Sequence, residues 1–170
     1  MSLILSNLFR FLFLLGLQVL LLNNVALYNI AVPYPYVLFI ILLPLDIPVF
    51  WLYFFSFMMG LGVDIFANTP GFHTSACVIM ALCRITTLNF MNTRNSSEFE
   101  TTPTIKNMGF NRFLTYAAIL IFIHHLSFYI IDIFRFSEFF YILLKVLASS
   151  LFTLLLVILT QYIFFSQRTK

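Results

Sequence analysis

Four ionisable side chains stand inside or at the edge of long apolar runs: Asp64, His73, Asp132 and Lys145. An Asp or Lys at the centre of a membrane helix costs roughly 2.5–3.5 kcal/mol on insertion scales, and less toward an end, so each needs a partner or a use. Asp64 lies in GLGVDIFANTPGFHT, residues 60–74. Gly60 and Asp64 are four apart and share a helix face, where a glycine lets a neighbouring backbone approach the carboxylate. Asn68, Pro70 and Gly71 predict a short turn, after which His73 opens the next apolar run. Lys145 is the cation deep enough to pair with Asp64 or Asp132, because a paired charge inside a bundle is far cheaper than a lone one. Three uses stay open for this set: a structural polar clamp, a path for a proton or polar substrate, and a surface on which a partner docks.

Other candidate chemistry is thinner. His125 and Asp132 are seven apart and share a helix face. His124 and His125 are adjacent, so their rings point about 100° apart, which is poor metal-ligand spacing compared with i, i+4. Cys77 and Cys83 are six apart on different faces of one helix, which predicts neither a disulfide nor a metal pair. No HExxH, GxSxG or Walker-type loop occurs. The expectation is therefore a protein that is not an enzyme, with no metal and no cofactor.

These residues must be positioned by a membrane bundle. The chain has 170 residues, of which 62% are hydrophobic and 9% charged. Its mean hydropathy is +1.02. A soluble domain carries about 25% charged residues, so the composition predicts a membrane protein throughout, built as one domain over residues 1–170. The net charge of +3 gives no reason to expect nucleic acid. The 23 phenylalanines are read as lipid-facing filler.

In chain order, residues 11–22 form an apolar run after Arg10. No small-residue cleavage site follows, so it is read as a retained first span. Residues 23–35, with Tyr28, Tyr34, Pro33 and Pro35, fit a membrane–water interface, as does Tyr36 just beyond. Residues 36–43 are apolar but cover only about half of a roughly 30 Å core, and are read as a short or tilted second span. Further spans are expected at 49–67, 72–90, 113–133 and 139–165, with Arg84 in the fourth snorkelling to the nearer surface. Residues 92–112 make a long polar loop, whose Asn95-Ser96-Ser97 sequon is read as chance. Lysine and arginine bias places this loop and the tail, with Arg168 and Lys170, on the cytoplasmic side. Six spans then leave both ends cytoplasmic; without the short second span there are five, and Arg10 favours six.

The run FFSFMMGLGVDIFANTPGFHTSACVIMALCR resembles the MreD family of bacterial rod-shape proteins. Gly60 and Asp64 match its glycine-rich approach to an aspartate, and Gly71 with His73 matches the loop that follows. Only about thirty residues carry this motif, although length and loop pattern agree over most of the chain. The flanks depart from many members in their wealth of Phe and Tyr, which looks like a Bacteroidetes-type sequence. The resemblance implies an all-α bundle of about six transmembrane helices, similar to the substrate-binding subunits of energy-coupling-factor transporters. It implies a non-catalytic subunit of the cell-elongation complex in the bacterial inner membrane. The implied partners are MreC and, through it, RodA, a class B penicillin-binding protein and MreB, within the lipid bilayer. The alternative is a membrane subunit that binds a small vitamin-like solute for a transporter.

Overall fold

The computed structural model describes residues 3–23, 25–27, 30–91, 102–133 and 139–165. The sequon, Asp132's neighbours Arg135 and Glu138, and the tail cations Arg168 and Lys170 lie outside the described residues. Among the described residues the chain is helical, with one isolated bridge between Leu27 and Ala31.

Helix α1 (Leu3–Leu17) runs on into a π-helical turn, Gln18–Leu22. A five-residue helix, α2 (Val37–Ile41), precedes the long helices α3 (Val49–Ala67) and α4 (Phe72–Phe90). A single turn, α5 (Ile105–Met108), leads to α6 (Phe110–Ile133) and α7 (Phe139–Phe165). Four stretches are long and apolar enough to cross a membrane: Leu5–Leu22, Val49–Ala67, Phe110–Ile133 and Phe139–Phe164. That much of the expected bundle is present. Phe50, Phe54, Phe57 and Phe66 on α3 and Leu144, Leu147, Leu151 and Leu155 on α7 are exposed, as side chains facing lipid would be.

Helix α4 has the length to span but is less apolar than those four. Its position explains this. It packs against α3 on one side and α6 on the other, and α6 in turn packs against α7. A helix enclosed by its neighbours can carry His73, Thr74, Arg84 and Thr87, all buried, without presenting them to lipid.

The expected second span needs correction. Residues 34–43 are all buried, and the helix within them has only five residues. Pro33, Pro35, Pro44 and Pro48 bound the stretch and prevent a longer helix. The segment is a core filler that contacts α1, α3, α4 and α6, not a lipid-facing helix. It runs antiparallel to α1: Arg10 reaches Leu42 near its end, while Gln18 reaches Pro33 near its start. Two of the tyrosines assigned to a membrane surface are likewise inside, with Tyr34 6% and Tyr36 0% exposed, and Tyr28 lies outside the described residues.

Helix α1 starts before Arg10 rather than after it, so that arginine projects from within the helix. The starts and ends of α3, α4 and α7 coincide with the apolar runs, because turn residues punctuate both.

Candidate functional site

The α3–α4 hairpin is built on two of the three glycines of the 60–74 stretch, Gly60 and Gly71. Gly60 is the point of closest approach: a Cβ there would stand 2.5 Å from Thr74 Cα and 2.7 Å from His73 O. Only glycine permits that contact without a shift of backbone. Asn68 ends α3 in the left-handed region at φ 56°, and Gly71 precedes α4 at φ 95°. Gly71 occupies the position where a Ser, Thr or Asp side chain normally meets the first free N–H groups of a helix, and it has no side chain.

Asp64 supplies the missing cap from the preceding helix. Its Oδ1 accepts from His73 N–H at 3.0 Å, and its Oδ2 accepts from Thr74 N–H at 2.8 Å. The Thr69 and Thr74 hydroxyls add two bonds of 2.5 Å each. The anion thus meets the positive end of the α4 dipole, with both oxygens occupied by neutral donors. Asp64 is 3% exposed.

Lys145 is not its partner. With α4 and α6 between α3 and α7, the ammonium lies instead over the rings of Tyr141, at 4.8 Å, and Tyr129, at 5.7 Å. Asp132 is exposed near the end of α6. The structure brings Gly60, Asp64, Gly71, His73 and Thr74 together and leaves Asp132 and Lys145 apart from them. The error has a physical source: a search for counter-charges overlooks a helix terminus, which stabilises a carboxylate through N–H groups.

Beneath this cap lies a cluster that charge and spacing did not reveal. The Tyr36 hydroxyl stands between His73 Nδ1, at 2.9 Å, and His124 Nε2, at 2.7 Å. A phenol has one proton, so one histidine must donate to it. His124 is 0% exposed and its Nδ1 has no partner. An orphaned acceptor is tolerated better than an orphaned N–H. That assigns the proton of His124 to Nε2, donating to Tyr36, which then donates to His73 Nδ1.

His125 is fixed independently. Its Nδ1 faces the Ile121 carbonyl at 2.9 Å and therefore carries the proton. Its Nε2 accepts from the Thr153 hydroxyl at 3.2 Å, and Thr153 in turn accepts from Tyr34 N–H at 3.0 Å. The Tyr34 ring packs among all three histidines, stacked on His125 at 5.3 Å and edge-on to His73 at 5.0 Å. His73 and His124 thus share one hydroxyl, while His125 is held by a separate hydroxyl and a carbonyl. Among the described residues no three of His, Cys, Asp and Glu are grouped so as to hold a metal ion. Cys77 and Cys83 are free thiols.

The hydroxyls of α7 serve the backbone of the irregular segment. Ser149 accepts from Val32 N–H at 3.0 Å and from the Tyr129 hydroxyl at 2.9 Å, and donates to Ile30 O. Gln18 donates to Pro33 O. An unpaired backbone group at membrane depth costs several kcal/mol, so such a segment is viable where side chains satisfy it.

At the other end of the segment, Arg84 corrects the expectation of a snorkelling side chain. It is 1% exposed. Its Nη2 donates to Leu43 O at 2.5 Å and to Pro44 O at 3.2 Å, and its Nε donates to the Tyr116 hydroxyl at 2.9 Å. Tyr116 passes its own proton to Ile41 O at 3.1 Å, and Arg10 Nη1 donates to Leu42 O at 3.3 Å. Four consecutive carbonyls, which have no partner within α2, are met by two guanidinium groups and a phenol.

Comparison of the chain with protein-family profiles, with curated proteins and with solved structures yields no match in any of the three.

Proposed function

We propose that this protein is a non-catalytic subunit of the bacterial cell-elongation complex, held in the inner membrane, whose helical surface docks MreC. Through MreC it would serve RodA, a class B penicillin-binding protein and MreB. The reading starts from the resemblance of residues 60–74 to the MreD family. One observation carries it further: the motif's polar groups are used up in holding the α3–α4 hairpin. Asp64 has its oxygens filled by Thr69, His73 and Thr74, which suits a rigid scaffold more than a site that must exchange a ligand.

On this reading the chain crosses six times, with the stretch that includes the buried residues 33–43 as a broken second crossing. Both ends are then cytoplasmic, as the lysine and arginine bias requires. Reporter fusions at the two ends test this, and an N-terminus on the outer side would remove the second crossing.

A second reading keeps one observation in its favour. Broken helices at membrane depth commonly mark substrate sites in transporters. The broken segment here would then belong to a subunit that binds a small vitamin-like solute. A pull-down from native membranes separates the two. Recovery of a single-span protein with a periplasmic coiled coil supports the elongation role. Recovery of a bound vitamin or a pair of ATPases supports the solute role and sinks the first.

A further inference from the structure

The closed bundle has no counter-charge for an added proton at two of its three core histidines. His124 carries its proton on Nε2, toward Tyr36, so a second proton goes to Nδ1, which has no partner among the described residues. His125 carries its proton on Nδ1, toward Ile121 O, and its Nε2 accepts from the Thr153 hydroxyl. A second proton there must turn that bond round and set an imidazolium with no carboxylate at either nitrogen. Both rings are 0% exposed and their centroids are 5.4 Å apart, so a charge on one opposes a charge on the other. His73 differs, because Asp64 of α3 accepts from its backbone N–H and stands beside it to offset a charge. The remaining neighbours give no such offset. Tyr34 and Tyr36 of the irregular segment, Cys77 of α4 and Tyr129 of α6 supply phenols and a thiol. Asp132 lies two turns beyond His125 on α6 and is exposed, and Lys145 of α7, over the Tyr129 ring, is itself a cation.

We propose that this cluster is an acid-released latch: protonation of His124 and His125 frees residues 30–36 from α4 and α6. The construction of the stretch suits release. It is not helical, and side chains of α7 hold its backbone, Ser149 at Val32 N–H and Thr153 at Tyr34 N–H. Its Tyr34 ring packs among all three histidine rings, so lifting it uncovers His124 and His125 together. The far end is fastened at Leu42, Leu43 and Pro44 by Arg10 and Arg84, whose charge acid does not change, so the opening is confined to the start. An imidazole in water takes up a proton below about pH 6.5. The open form then binds protons that the closed form does not, and opening becomes easier as pH falls below that value. Between pH 7.5 and 5.5 the opening constant rises about a hundredfold for two such rings and about tenfold for one. The proposal does not depend on which partner or solute the protein serves.

The test is hydrogen exchange of the full chain in mild detergent, read by mass spectrometry from pH 7.5 to 5.5 and corrected for the intrinsic pH dependence of amide exchange. Pro33 and Pro35 carry no N–H, so the signal over residues 32–36 comes from Val32, Tyr34 and Tyr36. The expected result is a rise of about a hundredfold in opening at these amides, with α3 unchanged. His124→Gln and His125→Gln should each leave a rise of about tenfold, and the double variant a flat profile. A flat wild-type profile overturns the proposal without reference to any variant. So does an equal rise in α3, which would mean that acid unfolds the whole bundle. A hundredfold rise that survives in both single variants would place the sensitive group elsewhere and overturn it equally.

Discussion

Two buried charges, Asp64 and Arg84, sit near opposite ends of the bundle's interior and are stabilised in the same currency: neither is paired with a side chain of opposite sign among the described residues. Asp64 faces the N–H groups that open α4, and Arg84 faces the carbonyls that close α2. They differ in reach. The donors to Asp64 lie five to ten residues away along the chain, whereas the acceptors of Arg84 lie 32 to 41 residues away. The anion closes a local hairpin. The cation fastens a distant, irregular segment into place. The lesson is that a charge inside a membrane bundle can be recruited by backbone ends, and the sequence distance to that end decides whether it staples a turn or a fold.

The sharpest way to break this comparison is to remove the cation. Arg84→Leu should leave the Leu43 and Pro44 carbonyls and the Tyr116 hydroxyl without their donor, at a cost of about 3–5 kcal/mol by analogy with breaking a buried charged contact. Melting temperature in detergent and abundance in membranes should both fall steeply, with Arg84→Lys intermediate. An unchanged melting temperature would mean that the segment is held by packing alone.

The anion should matter less, because its loss is confined to one turn. Asp64→Ala should cost about 2 kcal/mol, near the upper end for a helix cap. Coupling tells more than size. Asp64→Ala and Thr74→Val should be strongly non-additive, whereas Asp64→Ala and Lys145→Ala should add within about 0.5 kcal/mol, as for distant sites. Partial rescue of Asp64→Ala by Lys145→Ala would restore the counter-charge account. Gly60→Ala probes the same hairpin sterically and should cost about 1–3 kcal/mol, because the new methyl meets Thr74 backbone at 2.5 Å. A neutral outcome would show that α3 and α4 can slide apart.

The smallest effect belongs to the histidine cluster between the two charges. Tyr36→Phe removes the hydroxyl shared by His73 and His124 and should cost about 1–2 kcal/mol, the range for a buried polar group left unpaired. His124→Gln should cost no more than that, since one of its ring nitrogens already lacks a partner. If Tyr36→Phe instead abolished function at normal abundance, the cluster would be a working proton relay and not a clamp.

How much of this was legible follows the same division between local and distant. The α3–α4 hairpin could be read because every element of it lies within residues 60–74: a glycine one turn from an aspartate, a turn, then a helix. The start of α3 and the turn between α3 and α4 were legible for a similar reason, since Pro48, Pro70 and Gly71 punctuate long apolar runs. Residues 30–44 misled because their composition matches both a short span and an interface, and tyrosines with prolines are common at membrane surfaces. What decides their place is the set Ser149, Thr153, Arg84 and Tyr116, which no local spacing relates to them. Arg84 misled because a long side chain near a helix end can usually find water. A hint was available: α4 is the least apolar of the long helices, and a run of Thr, Cys and Arg inside one is cheapest where other helices cover it.

The dependence of residues 32–34 on α7 has a consequence for how the protein is made. The groups that satisfy Val32 and Tyr34 are encoded 117 and 119 residues later. At typical synthesis rates of 5–20 residues per second, that is a delay of roughly 6–24 s. During that interval Arg10, Arg84 and Tyr116 can seat the end of the segment, but Val32 and Tyr34 at its start lack the groups that satisfy them. The start of the segment at Val32 and Tyr34 is therefore seated last, and assembly ends with the arrival of the last helix. Released chains truncated before Ser149 should be degraded by membrane proteases, while released chains that end just beyond Gln161 should escape.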